Sequence, residues 1–305
     1  MNPAWSVILF TVLAGAGQGL FLALFSADLA GLAPARFVVE GSAVALVLLG
    51  SGLVASFFHL GHPARAWRAV AMWRTSWLSR EVIVLPAFTG LVFLYGILSS
   101  KGLGSEASIV GWIGVALCIA LFVCTGMIYA CLPFLQEWRS PLTLANFLAL
   151  GCASGLTAAA ALAAWRHPPL VAAYVTGAIV VGVVAYLIRI GMLARNARLR
   201  PKSTLASATG IQGKRVVQIA QGSTGGSFNT REFFHGRTRG VVKAVRWGFL
   251  ALVFPVPAAL LLNLPHTAGP LVAALGLQAA GLLAERWYFF AEARHPQNLY
   301  YQAIA

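Results

Sequence analysis

A chain of 305 residues that is 59% hydrophobic and only 10% charged is not a soluble enzyme, because a soluble domain carries about 25% charged residues. Its apolar stretches run without alternation for roughly 20 residues or more, the length of a membrane helix, and this excludes a barrel of short alternating strands. The formal charge of +14 comes with no basic-aromatic nucleic-acid motif, and reads instead as membrane orientation, anionic lipid or an acidic partner. The expected fold is all-α, a polytopic integral membrane bundle of eight transmembrane helices forming one anchor domain over 1–305.

Span one runs from Trp5 to Ala30. The N-terminus has no positive region, so no cleavable signal is expected, and Asp28 reads as a helix-end residue. Span two runs from Phe37 to Leu60 and carries His59 in its last turn. Span three runs from Glu81 to Ser99, with Ser79 as its expected cap and Glu81 in its first turn, where a carboxylate suits the helix dipole. Between them, Arg65, Arg68 and Arg74 interleave with Trp67, Trp73 and Trp77. That pattern predicts a helix lying in the membrane interface, either a plain anchor or a gate for an amphipathic ligand.

Span four runs from Ser108 to Cys131 and is followed by Glu137, Trp138 and Arg139. Span five runs from Pro141 to Ala164, with Ser140 as cap and proline in the first turn. Cys118, Cys124, Cys131 and Cys152 include no CxxC pair and are expected to be small buried hydrophobes. An iron–sulfur cluster needs four thiolates at one place, so none is expected in this chain. Haem b takes two axial ligands across a bundle; His59 is the sole histidine inside a span, so haem is not expected either, nor a metal site.

Span six runs from Pro169 to Gly191, span seven from Val245 to Leu264 with a kink at Pro255 and Pro257, and span eight from Ala268 to Phe290. The long loop over 193–243 is expected to be a docking surface. Its glycine run lacks the order of a phosphate loop. With eight spans, all of the 22 Lys and Arg except Arg36, Lys101 and Arg166 fall on the side that bears both termini. The positive-inside rule makes that side cytoplasmic in a bacterial inner membrane.

Ionisable groups at a membrane edge are costly to keep there. His59 and Glu81 return to the same face at similar depth. An imidazole and a carboxyl beside an apolar crevice can exchange protons with a quinone or quinol oxygen. Arg65, Trp67, Trp77, Arg80, Tyr129, Glu285 and Arg286 lie on that face as further contacts, with an internal ion pair as the plainer role for Glu285.

His59-Leu60-Gly61-x-Pro63-x-Arg65-Ala66 followed by Ser76-Trp77-Leu78-Ser79-Arg80-Glu81 resembles the membrane anchor subunit of dimethyl sulfoxide reductase, the DmsC family. So do Met127-Ile128-Tyr129-Ala130, Phe228-Asn229-Thr230-Arg231-Glu232-Phe233-Phe234 and Glu285-Arg286. The resemblance implies a cofactor-free anchor that binds an iron–sulfur subunit, which in turn binds a molybdopterin catalytic subunit. It also implies that ubiquinone or menaquinone reacts at residues corresponding to His59 and Glu81. The cytoplasmic placement of the basic loops fits the related sulfite-oxidising complexes better than a quinol-oxidising reductase with periplasmic catalytic subunits, which stands as the alternative. A secondary transporter would show repeats and midplane charges, and a purely structural anchor would carry no quinone chemistry.

Overall fold

The computed structural model describes residues 1–58, 60–211, 215–220 and 228–301. His59 lies outside the described residues, as do parts of the long loop. Six helices come first: α1 (Trp5–Leu29), α2 (Ala35–Phe57), α3 (Trp77–Ser100), α4 (Gly104–Ala130), α5 (Pro141–Arg166) and α6 (Val171–Ala197). Two short helices follow in the loop, α7 (Leu205–Thr209) and α8 (Phe228–Glu232). Then come α9 (Arg239–Val253), α10 (Pro255–Asn263) and α11 (Ala268–Glu292). Among the described residues, eight spans are long and apolar enough to cross a membrane, α9 and α10 forming one of them. The protein is a multi-pass membrane bundle.

The bundle is organised around α1 and α5. Helix α1 packs on α2, α4, α5 and α11, and α5 packs on α4, α6 and α11 as well. Lipid provides no hydrophobic force between helices, so close backbone approach through small residues has to supply the packing. The α1–α5 crossing does this with two facing small-residue pairs, Gly15/Gly19 and Gly151/Gly155. A Cβ on Gly19 would sit 2.1 Å from the Gly151 carbonyl oxygen, and one on Gly155 would sit 2.1 Å from the Gly19 carbonyl carbon.

Several expected boundaries move. Helix α3 starts four residues before Glu81 because Ser76, not Ser79, is its cap: the Ser76 hydroxyl accepts from the Ser79 amide at 3.3 Å. Glu81 is therefore past the first turn, roughly 6 Å inside the helix at 1.5 Å per residue. Ser79 itself is buried. Ser140 caps α5 as expected, accepting from the Leu142 amide at 3.2 Å. The interfacial segment is a 3-10 helix, Pro63–Met72, with no buried residue. Cys131 is exposed at the end of α4, whereas Cys118 and Cys124 are buried.

The seventh span breaks at Phe254, whose φ of −114° and ψ of −80° separate α9 from α10. The cause is Pro255 and Pro257, which lack the N–H groups that would continue the helix ladder. The loop between α6 and α9 is tied down at its described ends. Arg195 donates to the carbonyls of Gln136 at 3.0 Å and Arg139 at 2.9 Å. Asn298 donates to the Phe233 carbonyl at 3.1 Å, Tyr300 to the Ala208 carbonyl at 3.0 Å, and the Phe233 ring stacks on His295 at 3.9 Å.

Candidate functional site

Glu81 is 5% exposed. Its carboxylate accepts a hydrogen bond from the Thr125 hydroxyl of α4. Among the described residues it forms no ion pair. The neighbouring Arg80 is turned away, donating to the carbonyls of Trp73 at 2.9 Å and Arg74 at 2.8 Å and lying 4.2 Å from the Trp77 ring centre. A buried carboxyl whose neighbour is a neutral hydroxyl can hold a proton, release it and be refilled. A carboxylate locked to a guanidinium is far less free to do so.

Thr125 faces a cavity of about 10 Å³ lined also by Thr11, Gln18, Phe122 and Phe147. That is close to the smallest volume that accepts one water. The Gln18 Oε1 atom is buried beside it without a hydrogen-bond partner.

One turn beyond Thr125 on α4, Tyr129 stands within electrostatic reach of both Glu81 and Arg286. Its ring sits among Trp138 at 5.3 Å, Phe147 at 5.5 Å, Phe289 at 5.4 Å and Phe290 at 5.4 Å. The Trp138 indole donates to the Phe289 carbonyl at 2.9 Å, which fixes the α4–α5 turn against α11.

Arg286 is 3% exposed and lies 3.7 Å over the Phe147 ring. It pairs with Glu285 at 3.2 Å, and Glu285 also meets Arg189 of α6 at 3.0 Å and accepts from Asn146 of α5 at 3.1 Å. Both arginine contacts are ion pairs without hydrogen-bond alignment, since Arg189 Nε and Arg286 Nη1 have no aligned acceptor. The plainer role for Glu285, an internal ion pair, is the arrangement found.

The structure thus brings Glu81, Tyr129 and Arg286 into one neighbourhood, with Glu285 behind Arg286. It leaves Arg65 and Trp67 exposed on the 3-10 helix, with Trp67 71% exposed, and it pairs Trp77 with Arg80. Sequence reasoning missed Thr125, Asn146, Phe147 and Arg189. Arg189 carried a usable signal, a charge inside an apolar span, and Thr125 lies four residues before Tyr129 on one helix face. Asn146 and Phe147 carried none. On the opposite membrane side, Asp28 is more than a helix end, because it accepts from the buried Tyr95 hydroxyl of α3 at 2.6 Å.

The chain is 53% identical over 327 aligned positions to a sulfite dehydrogenase subunit of Allochromatium vinosum, with both chains covered in full. The family model described as "DMSO reductase anchor subunit (DmsC)" matches residues 1–289. With eight membrane spans and this match over nearly its whole length, the chain belongs to the DmsC family of membrane anchor subunits.

Proposed function

We propose that this chain is the quinone-reactive anchor of a sulfite:quinone oxidoreductase. In that complex an iron–sulfur subunit docks on the basic face and a molybdopterin subunit oxidises sulfite. Sulfite loses two electrons; quinone gains those two electrons and two protons and leaves as quinol. The observation that carries the reading is Glu81, a buried carboxyl set roughly 6 Å inside the basic membrane face, which among the described residues has no cation partner and is bonded to the neutral Thr125 hydroxyl. Its role is to hold a proton for a quinone oxygen, with His59 as the second proton-carrying group.

The 10 Å³ cavity behind Thr125 is far too small for a quinone ring. In this reading the ring therefore meets Glu81 from the membrane face, beneath the 3-10 helix that packs on α3. Trp67, Trp73 and Trp77 of that region sit at headgroup depth. The loop ends around Arg195, Asn298 and Tyr300, together with the fully exposed Ile219, supply a surface for the iron–sulfur partner. The basic side is cytoplasmic by the positive-inside rule.

The name of the 53% identical relative favours sulfite over dimethyl sulfoxide as the substrate of the complex. The test compares sulfite-dependent quinone reduction by the complete complex with that of the two water-soluble subunits alone. Quinone reduction only when this chain is present supports the reading; equal rates without it would overturn it.

A further inference from the structure

A cavity of about 870 Å³ lies between α6 and the broken seventh span. None of its lining comes from α3 or α4, so it is separate from Glu81 and from the quinone reading. It exists because α6 packs mainly on α5 while α9 packs on α11, and the seventh span is broken at Phe254. Ile179, Gly182 and Val183 form one wall, and Leu250, Phe254 and Leu261 the other. Across its floor the Tyr186 and Phe254 rings meet at 5.2 Å.

Among the described residues, the lining holds a single charged side chain, Arg246, at one end. The ring of the 63% exposed Trp247 lies 5.3 Å from that guanidinium. Arg239, Lys243 and Arg246 fall at i, i+4 and i+7, one stripe of α9. Along the unbroken α6 the lining runs from Ala178 to Ala194, roughly 24 Å, close to the ~20–22 Å of one leaflet with its headgroups. The slot is thus one leaflet deep, apolar along its length and cationic at its mouth.

Part-way along it lies Gln278. Gly281 abuts Leu252 and Val253, which puts Gln278 level with the proline break, where its Oε1 is buried without a partner. Pro255 and Pro257 offer no N–H to the carbonyls of Ala251 and Val253, so this level is polar, and apolar lining continues beyond it at Ala258 and Leu261.

We propose that this slot holds one anionic phospholipid of the leaflet on the basic side. Its phosphate rests on the Arg246 stripe and its acyl chains run between α6 and the seventh span, past the proline break toward Leu261. Charge complementarity and one-leaflet depth select this occupant.

The test uses the intact complex, purified in mild detergent and washed, with retained lipid counted by mass spectrometry. Wild type is expected to retain about one anionic phospholipid per copy of this chain. Gly182→Trp fills the slot, because a Cβ at Gly182 meets nothing within 4 Å, and should retain several-fold less. Arg246→Ala should lose the preference for anionic lipid, and Arg246→Lys should restore it. Should Gly182→Trp fail to assemble, delipidated wild type is titrated with phosphatidylglycerol or phosphatidylcholine and its thermal midpoint followed. A rise with phosphatidylglycerol alone, absent in Arg246→Ala, supports the site. Equal retention in all variants, equal effects of the two lipids, or isoprenoid quinone in place of phospholipid would overturn it.

Discussion

Removing Glu285 is expected to destabilise the bundle far more than removing either arginine it pairs with. Arg189 and Glu285 are both 0% exposed and Arg286 is 3% exposed. Among the described residues, Glu285 is the one carboxylate within 4 Å of both guanidiniums; Glu292 also acts on Arg189, at longer range. Glu285→Leu therefore strands Arg286, and breaking a buried ion pair on one side costs about 3–5 kcal/mol. Arg286→Met instead leaves the Arg189–Glu285 pair intact and gives up the contact with Phe147, worth about 0.5–2 kcal/mol. At about 2 °C per kcal/mol for a large domain, Glu285→Leu should lower the thermal midpoint of the purified complex by roughly 6–10 °C, and Arg286→Met by ~4 °C or less. The assay is the loss of monodisperse complex by size exclusion after heating. A Glu285→Leu midpoint no lower than that of Arg286→Met would show that the cluster is not held together by its carboxylate.

Gly155→Val should abolish assembly, because its Cβ would lie 2.1 Å from the backbone of α1, whereas Gly182→Ala, in open space, should behave as wild type; matching yields of the two would refute the crossing. Tyr95→Phe removes the 2.6 Å bond to Asp28 and should cost about 1.5–3 kcal/mol, as hydrogen bonds to charged groups do, read as a lowered thermal midpoint. The His235 and His295 imidazoles are held below their ordinary value of 6.5, burial being the largest cause for each. Their neutral forms accept the amides of Arg237 at 3.0 Å and Gln297 at 3.3 Å. The folded form binds fewer protons, so this stability is complete above pH 6.5 and is lost as pH falls through the lowered folded values. Protection from hydrogen exchange over 232–238 and 294–301, taken relative to the intrinsic rate at each pH, should therefore be lower at pH 5 than at pH 7.5, and unchanged protection would contradict the sign.

The eight spans were legible because lipid forces continuous apolar helices, and the kink was legible because proline has no N–H. The α3 boundary was misplaced because Ser76 and Ser79 both suit a cap and only the fold chooses between them. The clustering of Glu285 with Arg189, Asn146 and Arg286 was only half legible. The glutamate–arginine pair is local, but its partners come from α5 and α6, roughly 100 to 140 residues earlier in the chain, and nothing local aims them inward. The α1–α5 crossing is written in Gly15, Gly19, Gly151 and Gly155, yet 31 glycines hide those four. Glu81 was found as an anomaly of charge; Thr125, a neutral residue in an apolar run, offered only its place on the Tyr129 face of α4 and showed its role through contact.

The most direct test of the central claim is the ratio of quinone-linked to dye-linked sulfite oxidation in complexes carrying Glu81→Gln or Thr125→Val, with dye-linked activity reporting the partner subunits and their assembly. A proton-holding role for Glu81 predicts that Glu81→Gln keeps its dye-linked rate and loses quinone-linked rate by roughly 10²-fold or more, the usual span for removing an acid–base group. Thr125→Val should lose less. Equal ratios in wild type and Glu81→Gln would place quinone chemistry elsewhere and leave Glu81 a buried structural acid.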